Sequence, residues 1–210
     1  IIPDGTSPIL WASIRSMTVG TDGLLNVDRL PVQGRCRTYS ANAMITDSAA
    51  GATTYACGVK TNNGVLGMDA TTVPKDSLTG RAVPNILELA MNAGFATGIV
   101  TTAYLQHATP AAFYTHHANR DWYDLIANDL VSKNIDVLMG GGRQYMIPAN
   151  TIDEEGDPSK RTDARNIIAE MQQKGYTYIY NTDGFRSIDT EKTNKLLGVF
   201  DSGHMEYESD

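Results

Sequence analysis

The segment Thr46-Asp47-Ser48-Ala49-Ala50-Gly51-Ala52-Thr53-Thr54 combines a hydroxyl, a carboxylate and a run of small residues that let other groups approach closely. Thr46 or Asp47 caps a helix that starts near Ser48 and ends at Gly58. Ser48 is thereby placed among the unpaired N–H groups at the positive helix end, where an oxyanion or phosphate binds. A serine hydroxyl attacks well only when a base or a metal takes its proton, and this segment is not the Gly-x-Ser-x-Gly elbow of ester hydrolases. The spacing suits an ordinary helix cap equally well.

Four further residues carry chemical potential. Asp4 follows the apolar pair Ile1-Ile2, which reads as the end of a buried strand. A carboxylate at a strand's C-terminal end suits a divalent cation, while Asp4-Gly5 is also a common turn pair. His107 and Thr109 stand two apart in a segment expected to be extended, so both can face one hard cation. Arg120 precedes a helix and can clamp two phosphoryl oxygens, or pair with Asp121 or Asp124 at the surface. The adjacent His116 and His117 diverge in regular structure and are expected to be positional. Gly140-Gly141-Gly142 lacks the endings of nucleotide-binding loops and reads as a strand-to-loop turn.

The elements that must position these groups alternate between helix and strand. Pro84 to Ala93 reads as a helix with Ile86, Leu87 and Ala90 inward and Gly94 as its stop, followed by a strand from Ala96 to Thr101. Trp122 to Lys133 places Trp122, Leu125, Ile126 and Leu130 on one face before the strand Ile135 to Met139. Thr162 then caps a helix carrying Ile167, Ile168 and Met171, stopped by Gly175 ahead of the strand Tyr176 to Tyr180. This repetition predicts an α/β fold with a largely parallel sheet. The acidic run from Asp153 to Pro158 lacks calcium-loop spacing and is expected to be a solvated connection.

With 210 residues, 41% hydrophobic and 20% charged, the chain fits one globular domain over 1–210, with both ends reading as cut. A net charge of −7 argues against nucleic acid as a dedicated partner. Any attraction for an anionic substrate must therefore be local. No stretch approaches the roughly 18 apolar residues of a membrane span. Cys36 and Cys57 are too few for a disulfide framework and are expected to be unpaired, mostly buried thiols, with one disulfide as the alternative.

Taken together, Thr46 to Thr53, Gly58-Val59-Lys60-Thr61, Asn63-Gly64, Gln106 to Ala112, Asn119-Arg120, Asp136 to Gly142 and Leu196 to Phe200 resemble alkaline phosphatase. The matches fall in the family's order over nearly the whole chain. The resemblance implies a three-layer α/β/α sandwich, incomplete here, and phosphomonoester hydrolysis through a phosphoserine at a site of two zincs and one magnesium. Ser48 matches the serine that is phosphorylated beside a zinc, and Arg120 the arginine that holds the phosphoryl oxygens. Asp4 matches a carboxylate shared between zinc and magnesium. Thr109 matches a magnesium ligand, and His107 stands where family members carry aspartate or histidine, which makes zinc or cobalt an alternative third metal.

The same resemblance implies small phosphomonoesters as substrates, a homodimer, and a periplasmic or secreted location. The family's remaining zinc ligands lie in a C-terminal half outside these residues, so the 210-residue piece is expected to be inactive alone. His204 resembles a loop of the family and not its metal motifs. Two alternatives stand beside this reading: a phosphodiesterase of the same superfamily, and a non-catalytic relic that binds phosphate or metal. A sulfatase is disfavoured because its Cys-x-Pro-x-Arg signature is absent.

Overall fold

The computed structural model describes residues 1–207 and divides the chain into two compact units, Ile1–Thr38 and Tyr39–Asp210. In the first, Ser7 caps helix α1 (Pro8–Thr18) by accepting from the Leu10 N–H at 3.2 Å, and Pro8 occupies the first turn, where its missing N–H costs nothing. Arg15 and Asp28 form an ion pair at 2.6 Å. No residue of α1 is buried. Ile1 and Ile2 are exposed and form no strand, contrary to the sequence expectation, because no neighbouring strand pairs with them.

The second unit is built on a four-stranded parallel sheet in the order β1-β2-β4-β3. Its strands are β1 (Gly98–Tyr104), β2 (Val137–Gly141), β3 (Thr177–Ile179) and β4 (Leu196–Val199). The flanking helices are α2 (Ser48–Cys57), α3 (Ile86–Asn92), α4 (Ala108–Ala111), α5 (Tyr123–Ser132), α6 (Ile167–Gln173) and α7 (Thr182–Arg186). Parallel strands need such crossovers, and β4, buried at every position, shows the all-apolar pattern of a strand covered on both faces. Ile99, Leu138 and Leu197 from the strands join Ile126, Leu130, Ile167 and Met171 from the helices in one core.

Local differences from expectation have physical causes. Helix α3 starts two residues after Pro84 because Asn85 accepts from the Glu88 N–H at 2.9 Å while Glu88 accepts from the Asn85 N–H, a reciprocal cap. Ile86 is consequently exposed and only Leu87 is buried. Trp122 precedes α5 as its cap and Leu125 is exposed, leaving Ile126 and Leu130 as the buried face. Asn166, not Thr162, caps α6. Thr162 instead donates its hydroxyl to Asp124 at 2.6 Å.

The acidic connection is not simply solvated. Arg143 is fully buried, and its Nε donates to Asp153 at 2.8 Å while its Nη1 donates to the Val199 carbonyl at 3.1 Å. Glu155 closes the far side of the same guanidinium. Asp153 also accepts from the N–H groups of Glu155 and Asp157, so the loop is wound around its own buried carboxylate. Both cysteines are free thiols, but Cys36 is exposed and Cys57 half-buried, so neither is the core thiol expected. No helix among the described residues is long and apolar enough to cross a membrane.

Candidate active site

Asp47 is the N-cap of α2, accepting from the Ala50 N–H at 2.9 Å through a side chain set by its extended backbone. Ser48 is therefore the first helical residue and not the cap. Its half-buried hydroxyl belongs to the turn whose N–H groups carry the positive end of the helix dipole. At the other end Gly58 takes φ +71°, the left-handed conformation that closes the helix with a glycine. Ala49, Ala50, Ala52 and Ala56 are buried, and Thr53 accepts from the Gly67 N–H at 2.9 Å, which fixes the helix against the following segment.

Asn63 and Gly64 complete the seat. Asn63 accepts from the Asp47 N–H at 3.1 Å and donates to the Ile45 carbonyl at 3.0 Å. The Gly64 N–H donates to the Asp47 carboxylate at 2.9 Å, and its carbonyl accepts from the Arg120 N–H at 2.8 Å. One residue thus ties the helix cap to the arginine. The Arg120 side chain closes the circuit, donating from Nη1 to Asp47 at 3.2 Å and from Nη2 to His107 Nε2 at 3.3 Å. Arginine has no lone pair to offer, so the His107 Nε2 it faces is an acceptor and the ring proton belongs on Nδ1.

His107 and Thr109 do not share an extended segment. His107, itself extended at φ −64° and ψ 152°, caps the short helix α4, and Thr109 lies inside that helix. Asp4 lies in the other unit, in a turn where the Thr6 N–H donates to the Pro3 carbonyl at 3.2 Å and Gly5 takes φ +72°. Within the second unit the structure brings together Ser48's helix, Arg120 and His107. His116 and His117 serve as braces. His116 bridges the Gly67 carbonyl, 2.6 Å away, and Glu88, 3.0 Å away, while His117 lies 3.1 Å from Asp129.

Two groups at the site escaped sequence reading. Asp47 looks like a cap alone, yet it also anchors Arg120. Tyr104, at the end of β1, lies edge-on to His107 with ring centroids 5.1 Å apart and close to Tyr123, Tyr145 and His204. Burial, then the hydrogen bond with Tyr123, pushes its phenol well above the ordinary value, so it stays neutral. Beside this aromatic group, Trp122, Tyr123 and Tyr145 line a cavity of about 300 Å³.

Imidazole nitrogen and threonine hydroxyl are acceptable donors for a single divalent cation, so His107 and Thr109 fit part of one metal's shell. Among the described residues, however, no group of three or more His, Cys, Asp or Glu side chains can hold a metal ion, and a zinc pair finds no complete ligand set there.

A family model described as alkaline phosphatase matches residues 9–210. The alkaline phosphatase of Gadus morhua is 39% identical over 90% of this chain and 45% of its own length. The tissue-nonspecific isozyme of Rattus norvegicus is 37% identical over 90% of this chain and 41% of its own. The chain thus spans less than half the length of these curated relatives. Among solved structures, the alkaline phosphatase of the Antarctic bacterium TAB5 superposes with a TM-score of 0.75 at 29% identity, covering 93% of this chain and 52% of that one. The cold-active enzyme of Shewanella sp. does so with a TM-score of 0.80 at 31% identity, covering 99% and 46%. A histidine-to-aspartate variant of the TAB5 enzyme carries Mg in its M3 site.

Proposed function

The chain belongs to the alkaline phosphatase family, and from that premise we propose that it supplies the nucleophile and phosphate-holding part of a phosphomonoesterase site, with Ser48 as the residue that is phosphorylated. The observation that carries this reading is the single hydrogen-bonded circuit Asp47–Gly64–Arg120, which seats a guanidinium beside the helix end that begins with Ser48. Two positive groups, the first-turn N–H array and Arg120, converge on one place in a chain whose net charge is −7. A dianionic phosphoryl group is drawn there by local field alone.

In the reaction the Ser48 oxygen attacks phosphorus, its bond to phosphorus forms as the bond to the leaving oxygen breaks, and the serine proton passes to solvent while the leaving oxygen takes one up from solvent, so that the products are phosphoserine and the free alcohol. Arg120 holds two equatorial oxygens of a loosely bonded transition state whose charge lies mainly on those oxygens. The α2 N–H groups face the same charge without reorganising. Asp47 keeps the guanidinium aimed and partly neutralised, so that phosphate can leave after the phosphoserine is hydrolysed.

Ser48, His107 and Thr109 would contribute to holding two zincs and a third cation, magnesium or, with imidazole as a donor, zinc or cobalt; Asp4, in the first unit, is offered as a carboxylate ligand on the family resemblance alone. The other ligands would come from beyond these 210 residues, so this length alone is expected to be inactive. When bound, the metals would lower the proton affinity of the serine and neutralise the leaving oxygen. The natural substrates are then small phosphomonoesters, the working form a homodimer, and the location periplasmic or secreted.

Arg120 favours a monoesterase over a diesterase, since a diester offers one free oxygen fewer to a bidentate clamp. Hydrolysis of p-nitrophenyl phosphate and of bis-p-nitrophenyl phosphate by the protein at the full length its gene encodes separates the two. A monoester preference that Arg120→Ala abolishes supports the reading. Equal turnover of both esters, unchanged in that variant, sinks it, and metal binding without turnover of either supports a relic.

A further inference from the structure

We propose that Tyr104 and His204 act together as positioning residues that fix the imidazole plane of His107, and so set how strongly the His107–Thr109 position takes a divalent cation. The proposal rests on the phosphatase reading only in assigning a cation to His107.

The backbone delivers Tyr104 to this place by a sheet irregularity. Val100 pairs with Met139, and the next pair is Tyr104 with Gly141, so β1 advances four residues while β2 advances two. A bulge of this kind re-aims the side chains at a strand end. Gly142 makes room for the result: at φ +99°, a Cβ on it would stand 2.5 Å from the Cβ of Tyr104.

Tyr104 is then held from several directions. Its hydroxyl lies 3.1 Å from that of Tyr123, and its ring centroid is 5.4 Å from Tyr123 and 4.5 Å from His204. His107 meets the edge of Tyr104 at an interplanar angle of 84° and that of His204 at 70°, with centroids 5.1 Å and 5.3 Å away. Rotation about the last side-chain torsion of histidine is intrinsically broad, and two rings near perpendicular to it restrict that freedom.

The consequence lies at Nε2. That nitrogen has one lone pair, which receives the Arg120 N–H in this structure and would have to be given to a cation instead. Its direction is decided by the ring plane, which Tyr104 and His204 hold together with the Arg120 hydrogen bond. Groups that orient a metal-ligating histidine without touching the metal typically change affinity about 10-fold to 100-fold when removed.

The test is a Co²⁺ titration of the zinc-saturated protein at the full length its gene encodes, followed by the visible absorption of bound cobalt, with thermal melts as a check of folding. Tyr104→Phe, which keeps the ring, should bind within about twofold of the parent, whereas Tyr104→Leu should weaken the Kd about tenfold and alter the band shape. His204→Ala, at an exposed position, should weaken it in the same direction and serves if Tyr104→Leu does not fold. Unchanged Kd values in Tyr104→Leu and His204→Ala, alongside loss of binding in His107→Ala, overturn the proposal. Unchanged binding in His107→Ala overturns it too, since no cation then sits on that imidazole. Parent turnover of p-nitrophenyl phosphate, measured in parallel, tells failure here from failure of the phosphatase reading.

Discussion

Replacing Asp47 with alanine removes three interactions at once, and the structure gives the size of each. The cap on Ala50, at 2.9 Å, is worth about 1 kcal/mol. The charge-assisted bond from the Gly64 N–H, also 2.9 Å, contributes about 1.5 kcal/mol. The Arg120 pair, its side chains 22% and 26% exposed, adds at most about 1 kcal/mol after solvent screening. Asp47→Ala should therefore cost about 3 kcal/mol, lowering a urea midpoint by about 1 M if the slope is near 3 kcal/mol per M. Asp47→Asn keeps the cap oxygen but turns an amide N–H toward donors, and should cost about half as much. Urea unfolding followed by far-UV circular dichroism measures both. A change below about 0.5 kcal/mol in Asp47→Ala would refute the idea that one carboxylate ties helix, Gly64 and arginine together.

Other outcomes follow from the same structure. Arg143→Ala leaves the Asp153 carboxylate buried without its partner and should destabilise by about 3–5 kcal/mol in chemical denaturation, while Arg143→Met paired with Asp153→Leu should cost less. Burial pushes the Glu88 carboxyl up, but hydrogen bonds from Lys133 and His116 outweigh it and bring it down to about 2 from 4.5. Its contribution is thus complete above about pH 4.5 and lost as the pH falls toward 2, so Glu88→Gln should flatten the stability profile in that window, as read by denaturation at successive pH values. Burial, with help from Glu88, raises the Cys57 thiol to about 11, so a thiol-specific disulfide reagent at pH 8 should modify exposed Cys36 well before Cys57, as peptide mass mapping would record.

The parts of the fold that were legible in the sequence are those whose cause is local. Helix α2 was bounded correctly because Asp47 and Gly58 act on their own neighbours. The inward triad Ile167, Ile168 and Met171 followed from periodicity, and the parallel sheet from the alternation of elements. Ile86 and Leu125 are exposed where periodicity puts them inward, because a helix's first turn is set by its cap, and the capping residues shift both helices relative to their apolar stripe. The burial of Asp153 was hidden because an acidic loop looks solvated until a distant arginine is known to lie beneath it. Asp47's second role and the Tyr104–His204 pair depend on chain segments brought together only by the fold, across separations of 73 residues for Asp47 and Arg120. The extended spacing expected of His107 and Thr109 holds at His107 and ends there, because a single helical turn, α4, begins at the next residue.

The identity of Ser48 as the phosphorylated residue is tested most directly by intact-protein and peptide mass spectrometry. The protein, at the full length its gene encodes, is quenched in acid during turnover of p-nitrophenyl phosphate. A phosphate on the peptide containing Ser48, absent in Ser48→Ala while the helix content of that variant is unchanged, is the expected result. Phosphate on another residue, or undiminished turnover in Ser48→Ala, would contradict it.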